Sequence, residues 1–79
     1  AALEAAEGAL GLGKEARRVI ETRLDALGLK PGKVDGVFDE RTRRAIRRFQ
    51  EARQMEPTGY LDQSTTVALL AGAVLRLGE

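Results

Sequence analysis

One eight-residue device occurs twice in this chain, and it fixes most of what the chain can fold into. Asp35-Gly36-Val37-Phe38-Asp39-Glu40-Arg41-Thr42 aligns with Thr58-Gly59-Tyr60-Leu61-Asp62-Gln63-Ser64-Thr65 at an offset of 23 residues, and Ala45-Ile46 then match Ala68-Leu69. Each copy opens on a small polar residue and a glycine, which suit a turn. An apolar residue follows that is expected to point inward, then Asp, then Thr three positions later. Such an Asp caps a helix by accepting the N–H of the third helical residue, and Thr at that place returns part of a capping box. Two loops of one design, each feeding a helix, predict a helical domain.

Periodicity supplies the helices. Over residues 14–27, Ala16, Val19, Ile20, Leu24 and Leu27 make one expected core face, with Arg17, Arg18, Glu21 and Asp25 off it. Gly28 suits the left-handed stop and Pro31-Gly32 a turn. Residues 39–53 place Thr42, Ala45, Ile46, Phe49 and Ala52 on one side, and Pro57 lies past the end. A third helix is expected over residues 62–77, with Val67, Leu69, Leu70, Ala73, Val74 and Leu77 apolar. Gly72 weakens its middle by about 1 kcal/mol, which predicts a kink or an early end. The first ten residues favour a short uncapped helix that lays Leu3, Ala6 and Leu10 on the body. The expected fold is therefore all-α: a compact three-helix bundle over residues 13–79, with residues 1–12 as a short N-terminal lead-in helix or linker.

Composition narrows the chemistry. The chain of 79 residues contains no cysteine and no histidine, and Ser64 is its only serine. Thiol catalysis, thiolate zinc sites and Ser-His-Asp triads are thereby excluded, and the commonest neutral general base is missing. No catalytic residue, metal or cofactor is expected. The chain starts on Ala1 and lacks the apolar run of about 7–15 residues of an export signal. It is expected to be a piece of a larger exported protein, residing in the periplasm or cell envelope. No run of about 20 apolar residues is present to span a membrane. The net charge of +1 is unevenly spread, since six of the 13 bases lie within residues 41–53.

The combined pattern is specific. Leu27-Gly28, Pro31-Gly32-Lys33-Val34-Asp35-Gly36-Val37-Phe38, Thr42, Ala45-Ile46, Phe49-Gln50, Thr58-Gly59-Tyr60-Leu61 and Leu69 together resemble the peptidoglycan-binding-like domain, over residues 14–71. The resemblance implies a non-catalytic three-helix module that rides beside a wall hydrolase, transpeptidase or protease and holds it on peptidoglycan. The chain departs from the family pattern where Asp39 replaces a glycine, Gln54-Met55 replaces Gly-Leu, and Ile20-Glu21 replaces Leu-Gln.

Candidate ligand contacts are Asp35, Arg43, Arg44, Arg47, Gln50 and Tyr60. Arginines along the second helix suit the carboxylates of peptidoglycan stem peptides, which guanidinium grips with two prongs. The plainer alternative for these arginines is a solvated face, with Arg44–Glu40 and Arg47–Glu51 paired at i, i+4. Tyr60, in the outward place that Val37 takes in the first loop, suits stacking on a sugar of the glycan strand. Asp35 and Asp39 do not make a catalytic pair, because Asp39 already has a capping role, nor a calcium loop, because the alternating oxygen ligands are missing. Expected partners are peptidoglycan glycan strands or stem peptides and the catalytic domain of the parent chain. A protein-interaction or prodomain-like role on the same fold is the alternative, to be marked by an apolar patch from Leu3, Leu10, Val74 and Leu77. Nucleic-acid binding by the Arg-rich helix ranks below both, because acids nearly balance bases and the loops are too long for a helix-turn-helix.

Overall fold

The computed structural model describes residues 2–77, and side-chain surroundings as far as Ala71. Four helices follow one another: α1 (Ala2–Ala9), α2 (Lys14–Ala26), α3 (Glu40–Ala52) and α4 (Gln63–Leu77). The three longer helices make the bundle, with α2 packed against both α3 and α4. The core comprises Ile20 and Leu24 from α2, Ala45, Ile46 and Phe49 from α3, Leu61 from the second loop and Leu69 from α4. Leu10, Leu12, Leu29 and Phe38 pack against it from the rim. Each fully buried Leu or Ile contributes about 1.5–3 kcal/mol.

Both duplicated loops end in the caps that their sequence predicts. Asp39 accepts the N–H of Thr42 at 3.1 Å, and the hydroxyl of Thr42 accepts the N–H of Asp39 at 3.3 Å. Asp62 accepts the N–H of Thr65 at 2.7 Å. The helices before the loops close alike. Leu29 N–H reaches back to the Leu24 carbonyl at 3.0 Å, and Met55 N–H to that of Gln50 at 2.8 Å. This closure needs a left-handed residue, supplied by Gly28 at φ 78° and, where the family pattern has glycine, by Gln54 at φ 59°. α4 runs on through Gly72 to Leu77, so an early end at that glycine does not occur.

Several expectations of burial need correction. Ala52 is exposed as the last residue of α3, and Val67 on α4 is 58% exposed because it stands about 180° from the midpoint of the buried Thr65 and Leu69. On α2, Val19 and Leu27 are exposed, at 45% and 46%, while Glu21 is fully buried. The face is centred between Ile20 and Leu24, which at about 100° per residue puts Glu21 about 80° from the centre and Val19 about 120° from it. Leu27 is the C-cap, where the chain already leaves the bundle. The lead-in helix forms, but Leu3 and Ala6 face solvent, and none of its residues is fully buried. Glu7 and the half-buried Leu10 tie it down instead.

Candidate functional site

Two buried side chains set the loops on which the site depends. From α2, Glu21 Oε1 accepts the N–H of Gly36 at 2.7 Å. From α3, Gln50 Oε1 accepts the N–H of Gly59 at 2.9 Å, while its Nε2 donates to the Tyr60 carbonyl at 3.0 Å and to the Thr65 hydroxyl at 3.2 Å. Gln50 is 0% exposed and its amide is saturated, so its place among the candidates is that of a loop-holding residue. Burial pushes the Glu21 carboxyl above its ordinary pKa of 4.5; the Gly36 N–H opposes this, and the charges of Asp35 and Asp39 add to it. Its Oε2 has no partner among the described residues.

The six candidates fall in separate places. Asp35 is exposed in the first loop, where its Oδ1 accepts the N–H of Val37 at 2.9 Å. Arg44 and Arg47 meet on α3, where with Arg48, Glu51 and Pro57 they line an open depression of about 320 Å³. Arg44 and Arg48 are exposed. Arg47 reaches Glu40 at 3.8 Å, two turns back, in place of the expected pairings of Arg44 with Glu40 and Arg47 with Glu51. Their exposure makes such a pair weak and leaves the face basic.

Arg43 and Tyr60 are together elsewhere. The Arg43 guanidinium covers the Tyr60 ring at 4.0 Å from its centroid, and stands 5.4 Å from that of Phe38. It also holds Glu7 of α1 in a close ion pair at 2.7 Å. Arg43 therefore covers one face of the half-buried Tyr60 ring. A cleft of about 330 Å³ lies beside the pair, lined by Glu4, Leu12, Arg17 and Phe38 among others.

Glu7 and Glu21 are the residues that sequence reasoning missed. The signal for Glu21 was present, since Ile20-Glu21 repeats as Phe49-Gln50, but at an offset of 29 residues and not 23. Glu7 carries no such signal, because its partner lies 36 residues away.

The family model described as "Putative peptidoglycan binding domain" matches residues 13–69. The chain belongs to that family. No curated protein and no solved structure matches it. Family membership associates the chain with the cell wall, and no helix among the described residues is long and apolar enough to cross a membrane.

Proposed function

We propose that this chain is a non-catalytic module that binds peptidoglycan and holds an attached enzyme or envelope protein on the cell wall. Residues 13–79 form the binding domain and residues 1–12 its lead-in, within a larger exported protein of the periplasm or envelope. Family membership gives the ligand class, and the exposed Arg44–Arg47–Arg48 depression on α3 is the observation that carries the reading to a surface. Arginine forks there suit stem-peptide carboxylates. Asp35 lies in the first loop and Tyr60 in the second, apart from this depression, and Gln50 on α3 positions the second loop. A single module of this kind binds weakly and works by raising the local concentration of what it carries.

Co-sedimentation with purified sacculi over a range of salt tests the proposal, with duplex DNA as the control ligand. Saturable binding that Arg44→Ala/Arg48→Ala weakens several-fold, with no retention on DNA, is the expected result. Retention on DNA with a steep salt slope and none on sacculi overturns it. A protein-interaction role is favoured by one observation. Val19 and Val34, 45% and 39% exposed, line an open depression with Thr22 and Arg23. Of the apolar patch expected near the termini, Leu3 is exposed and Leu10 half-buried, while the side chains of Val74 and Leu77 lie outside the described residues.

A further inference from the structure

The carboxylate of Glu7 is held as a bound ligand is held. Its Oε2 accepts from Arg43 Nη1 at 2.7 Å and its Oε1 from Nη2 at 3.0 Å, the two-pronged grip of guanidinium on carboxylate. Oε2 also accepts the N–H of Leu61 at 2.7 Å. The arginine is itself fixed from behind, by the Tyr60 ring and by its bond to the Gly59 carbonyl at 3.3 Å. Gln50 in turn fixes Gly59 and Tyr60. The receptor is thus built into α3 and the second loop, within the family-matched residues 13–69, whereas the carboxylate that fills it comes from outside them.

The segment that delivers Glu7 is lightly attached. α1 is eight residues long and contains no buried residue, and a helix of that length is marginal by itself in water. Releasing Glu7 costs one ion pair and one backbone hydrogen bond, which an incoming carboxylate remakes.

We propose that Arg43, the Leu61 N–H and Tyr60 form a binding site for a free carboxylate of the peptidoglycan stem peptide, which Glu7 occupies until a wall peptide displaces it. The inference rests on the wall-binding reading and adds to it a second carboxylate site, on Arg43 and apart from the Arg44–Arg47–Arg48 depression, that the chain's own Glu7 fills. Leu12, Arg17 and Phe38 wall the adjoining cleft opposite α1, and they stay in place for the rest of the peptide when α1 gives way. Arg17 lines it, and its buried Nε has no partner among the described residues. A tethered carboxylate competes at high effective concentration, so affinity for the wall peptide is held down in the intact chain.

The test titrates the 79-residue chain with the tripeptide L-alanyl-γ-D-glutamyl-meso-diaminopimelate, and separately with its carboxamide form. Binding is followed through the Leu61 amide resonance, and sacculus co-sedimentation is run in parallel. Glu7→Ala is expected to bind the free-acid peptide about tenfold more tightly than the wild type, and Glu7→Gln by an intermediate factor. The carboxamide is expected to leave the Leu61 amide unmoved in all of them, and Arg43→Gln to abolish the Leu61 response in either background. Unchanged affinity in both Glu7 variants, or equal binding of acid and carboxamide, overturns the inference. Wall binding stands in that case if the wild type still sediments with sacculi. Failure of every variant on both peptide and sacculi removes both readings. Should Glu7→Ala lose the dispersed spectrum of a folded domain, Glu7→Gln decides by the same criteria.

Discussion

Glu21 and Gln50 do the same work in the two halves of the bundle, each accepting the N–H of the glycine that turns the following loop, at 2.7 Å and 2.9 Å. They differ in one atom, and that atom matters. Gln50 Nε2 has the Tyr60 carbonyl and the Thr65 hydroxyl as acceptors, while Glu21 Oε2 has no partner among the described residues. A protonated Glu21 is the closer mimic of Gln50.

Stability is therefore expected to fall as the medium leaves mild acid. With its native pKa raised above 4.5, Glu21 binds its proton more tightly folded than unfolded. The stability this contributes is complete below pH 4.5 and is lost as pH rises through the raised value. Glu21→Gln removes the titration and keeps the acceptor. Urea denaturation should show the variant more stable at pH 7 by about 1 kcal/mol, with the gap closing toward pH 4.5. Parallel curves for the two proteins would contradict this account.

The reverse exchange should be costly. Gln50→Glu places a carboxylate against the Tyr60 carbonyl, which can only accept, so its penalty should grow with pH. Gln50→Leu strands the Gly59 N–H and should cost about 2–4 kcal/mol at any pH. Thermal melts at pH 5 and pH 7.5 separate the two behaviours.

Backbone conformation gives a pair of opposite effects. A Cβ on Gly36 would meet Lys14 Cγ at 2.5 Å and the Lys14 carbonyl at 3.0 Å, at φ +81°. Gly36→Ala should lower stability by about 2–3 kcal/mol. Gln54, at φ 59°, holds a conformation that glycine adopts freely, so Gln54→Gly should raise stability by up to about 1 kcal/mol. Urea midpoints of the two variants should move in opposite directions from the wild type.

The helix caps govern the acid limb. The N–H of Thr42 holds the Asp39 carboxyl below its ordinary 3.8, and the N–H of Thr65 does the same for Asp62. The stability they contribute is present above pH 3.8 and is lost as pH falls through the lowered values. Asp62→Ala should cost about 1 kcal/mol at pH 6 and progressively less in stronger acid. An acid denaturation curve of Asp39→Asn, which keeps a capping oxygen, should be shallower than that of the wild type.

Much of the bundle was legible because its signals are local. The N-caps at Asp39 and Asp62, the turn glycines and the 3–4 spacing of Ile20 and Leu24 act within a few residues, and the structure keeps them. The site was less legible because its contacts are distant. Arg43 read as one of several equal surface cations until α1 covered it from 36 residues away. Glu21 reads as lying off the core face because Val19 and Leu27 pull the expected face away from it. Its role becomes visible only once the helices are aligned at their own offset, and the loop segments differ in length: Glu21 stands 15 residues before its glycine and Gln50 only 9.

α3 closes one unit and opens the next. At its start, the hydroxyl of Thr42 donates to the Pro31 carbonyl at 3.0 Å and braces the first loop; at its end, Gln50 braces the second. The two helix–loop–helix units have this strut in common, so the opening of one is expected to release the other. The Gly36 and Gly59 amides should then exchange with solvent through one shared opening event, making a chain with two visible repeats a single cooperative foldon.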